Sequence, residues 1–169
     1  MDDLAALKDC LDGDKDAFRH LVERYQNQAV GHATAVLGNR EDARDAVQEA
    51  FIDAYRAIDR FDLSRRFYPW FYVLLRNRCF KMLASNDRRN TESVEETEIL
   101  ASQPESSIEE ILSLEAALLT LSPEDRELIT LKYLDGLSYQ ELAELLQIPK
   151  GTVMSRLFYV RKQLLAELT

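Results

Sequence analysis

Two cysteines in 169 residues, Cys10 and Cys79, are too few for a disulfide framework. The only histidines are His20 and His32, with no close Cys or His spacing, so no zinc site is expected. No apolar run approaches the roughly 18 to 20 residues of a membrane span. None near the N-terminus resembles a signal peptide, so the expected compartment is the cytoplasm. A Gly-rich phosphate loop, an HExxH, a GxSxG and a cysteine beside a plausible base are all missing, which leaves catalysis and a cofactor without support. Strand-like alternation and internal repeats are missing too. With five glycines and four prolines, helix breakers are scarce.

What is present points to helix. Leu, Ala, Glu and Arg are common. A hydrophobic content of 46% is enough for a packed core in one ordinary domain or two small ones. Leu4, Leu7 and Leu11, then Phe18, Leu21, Val22 and Tyr25, follow helical spacing, with breaks expected at Asp12-Gly13-Asp14 and Gly38-Asn39. From Asp42 to Ile58 one apolar stripe runs through Ala43, Ala46, Val47, Ala50, Phe51, Ala54 and Tyr55. The two histidines fall on what read as neighbouring helical segments, in structural or solvated roles. A loop is expected around Asp59–Arg66, then a helix from near Pro69 to about Ala84, ended by Ser85-Asn86-Asp87. Residues 90–107, polar and acidic, read as a flexible linker. Beyond it, Ile108, Ile111, Leu112, Leu118 and Leu119 give one helix. Ser122-Pro123 opens a second and the capping box Ser138–Glu141 a third. After a break at Ile148–Gly151 comes a last helix from Thr152 to about Leu168. The fold class expected is all-α, with helical domains at 1–89 and 108–169.

Charge is distributed unevenly. The chain carries a formal -9, yet residues 60–89 hold eight bases and two acids, a net of +6. Within it, residues 65–89 hold six of the fifteen aromatic residues: Phe67, Tyr68, Trp70, Phe71, Tyr72 and Phe80. Cations beside flat rings suit a groove that follows phosphates and stacks unpaired bases. Trp70, Val73, Leu74 and Phe80 are the candidates for burial there. Phe67, Tyr68, Tyr72, Arg76, Asn77, Arg78 and Lys81 cannot all join them. The bland alternative is aromatic core with a basic surface.

Two other constellations stand out. Opposite the apolar stripe lie Asp45, Gln48, Glu49, Ile52 and Arg56. An apolar residue inside a charged rim suits a protein partner, although a solvated face with one stray Ile would look the same. The last two helices make a helix-turn-helix. Val153, Leu157, Val160 and Leu164 can face its core. Ser155, Arg156, Phe158, Tyr159, Arg161 and Lys162 stay outside, and no acid falls between Lys150 and Gln163. Such a helix fits a major groove; two packed helices with a solvated basic face are the alternative.

Taken together, three segments resemble the extracytoplasmic-function group of bacterial sigma factors: Arg40–Phe61 with its D-x-VQE-x-F heart, Phe67–Arg89 with W-x-Y and R-N, and Leu121–Leu165. The resemblance implies sigma region 2 at 1–89 and region 4 at 108–169. Asp45, Gln48, Glu49, Ile52 and Arg56 would dock on the largest subunit of core RNA polymerase. Arg60, Arg65, Arg66, Phe67, Tyr68, Tyr72, Arg76, Asn77 and Lys81 would hold the -10 element, with a flipped base captured by the preceding loop. Lys150, Thr152, Met154, Ser155, Arg156, Phe158, Tyr159, Arg161 and Lys162 would meet the -35 element. The linker would thread near the RNA exit path. Partners implied are core polymerase, promoter DNA and an anti-sigma factor, possibly membrane-tethered, with no small-molecule substrate. Met154 and Tyr159 stand where the family often carries Lys or Arg, which implies altered -35 readout and tighter binding on Met154→Arg. A decoy that sequesters an anti-sigma factor and a plain helix-turn-helix regulator are the competing readings.

Overall fold

The computed structural model describes residues 2–89 and 108–168. The linker expected at 90–107 lies outside the described residues. The chain divides into two compact units, Met1–Glu95 and Glu96–Thr169. All regular structure among the described residues is helical.

The first unit contains α1 (Asp3–Leu11), α2 (Ala17–Leu37), α3 (Arg40–Arg56), a 3-10 turn Ile58–Arg60, and α4 (Phe67–Arg89). The expected breaks fall where glycine permits positive φ: Gly13 at 104° and Gly38 at 72°. Gly38 closes α2 as a left-handed C-cap, and the next residue caps α3, Asn39 accepting from the backbone N–H groups of Glu41 and Asp42. A helix end and a helix start are thereby compressed into two residues. His20 and His32 share α2, rather than lying on neighbouring helices; His20 is exposed and His32 buried.

The stripe on α3 is buried from Ala43 to Ala54, and its four alanines leave almost no side chain between α3 and its neighbours. The gap beyond them is filled by aromatics. Phe51 stacks on Phe71 with centroids 4.2 Å apart, and Phe67 meets Phe18 edge-on at 6.4 Å. Burying each such ring stabilises the unit by roughly 1.5–3 kcal/mol.

Helix α4 departs from the sequence reading. It begins at Phe67, two residues before Pro69, and continues through Ser85-Asn86-Asp87 to Arg89. Proline is accepted at the third helical position because N–H groups of the first turn have no intrahelical partner. The buried face also differs from the expected one: Phe67, Phe71, Tyr72, Leu75 and Cys79 are core, whereas Trp70, Leu74 and Phe80 are half-buried and Val73 is exposed.

The second unit contains α5 (Ile108–Leu119), α6 (Pro123–Tyr133), α7 (Tyr139–Leu146) and α8 (Lys150–Leu168). Ser122 caps α6 with Pro123 at its first position, and Ser138 and Glu141 form the reciprocal capping box of α7. The turn between α7 and α8 is not made by glycine. Gln147 adopts the left-handed conformation, φ 54°, while Gly151 lies inside α8, which starts at Lys150 rather than Thr152. Leu128, Leu131, Leu142, Val153, Leu157 and Val160 form this unit's core.

Candidate nucleic-acid interface

The α3 surface is the simplest to derive. Burying the alanine stripe turns the opposite face outward, and Asp45, Gln48, Glu49, Ile52 and Arg56 are all exposed. Ile52 is 37% exposed among these polar groups. Beside them Asp53 is gripped by Arg78 of α4, through Nε at 2.5 Å and Nη2 at 2.7 Å. A further Arg78 nitrogen lies 3.9 Å from Glu49. These bonds hold the Asp53 carboxyl below, and the Arg78 guanidinium above, their ordinary ranges. Next to the pair is an open cleft of about 320 Å³ lined by Asp45, Ala46, Glu49, Arg78, Lys81, Met82 and Ser85. In the sequence Arg78 is one more base among those of residues 60–89; its pairing joins residues 25 apart, so no local pattern reveals it.

The -10 candidates separate into three groups, exposed, half-buried and buried. Arg60, Arg65, Arg66, Asn77 and Lys81 are exposed. Three of these cations sit in the segment leading into α4, whose N-terminal end is itself positive, an arrangement suited to phosphate. Asp62 shapes that loop by accepting from the backbone N–H and hydroxyl of Ser64 at 2.9 and 2.7 Å. The Ser64 bonds keep its carboxyl below the usual range.

Two candidates are corrected. Phe67 is 1% exposed and Tyr72 3%, so both rings belong to the core rather than to a ligand-facing surface. They are drawn inward by contacts with Phe18, Phe61 and Tyr25 for Phe67, and with His32 for Tyr72. Tyr68 is half-buried and its hydroxyl lies 2.6 Å from His32 Nδ1, which fixes the ring. Arg76 is half-buried, its guanidinium 4.6 Å from the Phe80 ring centroid.

On α8 the expected inside residues Val153, Leu157 and Val160 are buried, with Leu164 half-buried. Lys150, Met154, Ser155, Phe158, Tyr159, Arg161 and Lys162 are exposed, Thr152 half-buried. Arg156 is half-buried and turned back onto α6, donating to one Asp125 oxygen from Nη2 at 2.7 Å and from Nε at 3.1 Å. Arg161 donates to the Leu157 carbonyl and, more weakly, to the Tyr133 hydroxyl.

Residues 21–89 match the family model for sigma-70 region 2, and residues 111–164 that for sigma-70 region 4. Over 180 aligned residues the chain is 36% identical to the ECF RNA polymerase sigma-E factor of Haemophilus influenzae, covering 96% of this chain and 93% of that protein. The sigma factor RpoE of Bartonella quintana, solved with the anti-sigma factor NepR, shares the fold with a TM-score of 0.78, at 23% identity over 89% of this chain and 96% of its own. An engineered region 2 of sigmaE, solved in complex with GTAAAA, is 37% identical with a TM-score of 0.50, covering 53% of this chain and 94% of its own.

Proposed function

This chain belongs to the extracytoplasmic-function group of the sigma-70 factors, and from that premise we propose how its surfaces divide the work of starting transcription. The protein is an RNA polymerase sigma factor. It binds core polymerase, directs it to promoters with -35 and -10 elements and opens the duplex. Its action is binding and strand separation, not covalent catalysis. The cytoplasm is its proposed compartment, because core polymerase and promoter DNA are there. No helix among the described residues is long and apolar enough to cross a membrane.

Residues 1–89 form the unit that meets polymerase and the -10 element, residues 90–107 the linker, and residues 108–169 the unit that meets the -35 element. On α3, Asp45, Gln48, Glu49, Ile52 and Arg56 make the polymerase face: their joint exposure in one strip, with apolar Ile52 inside a charged rim, is the observation that carries this assignment. Arg60, Arg65, Arg66, Asn77 and Lys81 hold the melted -10 strand, with Tyr68 and Arg76 at the margin. The relative solved with GTAAAA supports a nucleic-acid role for this region. The exposed face of α8 enters the major groove at the -35 element. An anti-sigma factor is the proposed regulator.

The test is multi-round transcription with purified core polymerase on genomic fragments, followed by sequencing of transcript starts. Transcripts with a shared -35 and -10 pattern are expected. Their absence would favour the decoy. Tight duplex binding without polymerase would favour a plain helix-turn-helix regulator.

A further inference from the structure

The outward face of α8 is short of the group that usually reads bases. Arginine on guanine is the commonest specific contact in the major groove. Here Arg156, the one arginine in the first two turns, has its Nε and Nη2 committed to Asp125 on α6. What the helix presents instead is apolar. Met154 is 49% exposed, Phe158 58% and Tyr159 67%, and the two rings meet edge-on with centroids 5.5 Å apart. Met154 and Phe158 lie four residues apart and share one face; Ser155 and Tyr159 form the adjacent strip. Lys150, Arg161 and Lys162 are exposed beyond this patch, and no acid lies between Lys150 and Gln163. Flanking cations select a polyanion, so the patch is set for a duplex whose groove floor is itself apolar.

Only one common base offers that. Thymine carries a C5-methyl group into the major groove, and apolar side chains read it by contact. Resting on the assignment of α8 to the -35 element, we infer that Met154, Phe158 and Tyr159 set the sequence preference of this protein by packing on thymine methyl groups. Lys150, Arg161 and Lys162 fasten the helix to phosphates without choosing the sequence.

The experiment uses the full chain with core polymerase. Templates carry a fixed -10 element and a randomised -35 region, and bound DNA is sequenced. Thymine is expected to dominate at two or more -35 positions. Replacing those thymines by deoxyuridine keeps every base pair and removes only the methyl; each replacement is expected to weaken binding about fourfold. Met154→Arg and Tyr159→Arg should bring guanine into the selected pool and reduce the deoxyuridine effect to the part that Phe158 carries. A wild-type preference for guanine, or a thymine preference indifferent to deoxyuridine, would overturn the inference while leaving the -35 assignment intact. If promoter binding persists through the -10 element with no -35 preference at all, the assignment of α8 fails as well.

Discussion

Arg78 on α4 holds Asp53 on α3 with two hydrogen bonds, Nε to Oδ2 at 2.5 Å and Nη2 to Oδ1 at 2.7 Å. Two-pronged pairing is geometrically demanding, because a planar guanidinium must meet a carboxylate in register. Here it joins the helix proposed to melt DNA to the helix proposed to meet polymerase, on the side of α3 that also carries Glu49.

The pair has a definite pH signature. Bonding to Arg78 lowers the Asp53 pKa from its ordinary 3.8. A carboxyl depressed on folding contributes stability that is present above the unfolded pKa and lost as pH falls through the folded one. Asp53→Asn should therefore destabilise the first unit at pH 7 by about 1 kcal/mol, since the pair is partly solvated. The gap between variant and wild type should close well below pH 3.8. Thermal melts followed by circular dichroism from pH 7 to pH 2 check this; equal melting temperatures at pH 7 would contradict it.

Ile52 is the apolar centre of the proposed polymerase face. Ile52→Asp should weaken binding to core polymerase by roughly tenfold or more, the loss typical of a central interface residue. Helix content and melting temperature should change little, because the side chain is exposed. Fluorescence titration against core polymerase measures the affinity. Undiminished binding would remove this face from the interface.

Two glycines at opposite ends of one argument give opposite signs. Gly31 lies within α2 with ordinary φ, and a Cβ there would meet nothing within 4 Å. Gly31→Ala should stabilise by about 0.5–1 kcal/mol through helix propensity and a less flexible unfolded chain. Gly38 closes the same helix at φ 72°, where a side chain is strained. Gly38→Ala should destabilise by about 1 kcal/mol. Urea titrations of both variants test the pair, and a common sign would refute the conformational explanation.

Tyr25 should ionise well above the ordinary tyrosine value of 10.0. Burial, then its hydrogen bond to the Asp3 carboxylate, pushes its pKa from 10.0 up to about 12. The raised value means that its contribution to stability is complete below pH 10 and fades as pH rises through about 12. Absorbance titration at the phenolate band should lose a late step in Tyr25→Phe. Loss of a step near pH 10 instead of a late one would contradict the raised value.

Much was legible without coordinates wherever the signal was local. The alanine stripe of α3, the break at Gly38-Asn39 and the capping box at Ser138–Glu141 each depend on residues within one or two turns, so spacing alone predicts them. The exposed strip Asp45–Arg56 follows as the other side of that stripe. Local reasoning erred at the start of α4: Pro69 looked like a first helical position, but two earlier residues fit because the first turn has spare N–H groups. The buried face differed as well, because contacts with Phe18, Tyr25, Phe61 and His32 draw Phe67 and Tyr72 inside. At the α7–α8 turn, glycine was the natural candidate, yet Gln147 takes the left-handed conformation and Gly151 continues the helix.

The sequence by itself determined the helices, the two basic islands and the family, because periodicity, charge and motif order are properties of neighbours along the chain. Tertiary structure alone decided which of those cations and rings face outward. Arg78 is held by Asp53 and Arg156 by Asp125, partners 25 and 31 residues away. Phe67 and Tyr72 are withdrawn by rings and a histidine from other helices. A long side chain's direction depends on the neighbour that packing brings to it, and that neighbour is not local in sequence.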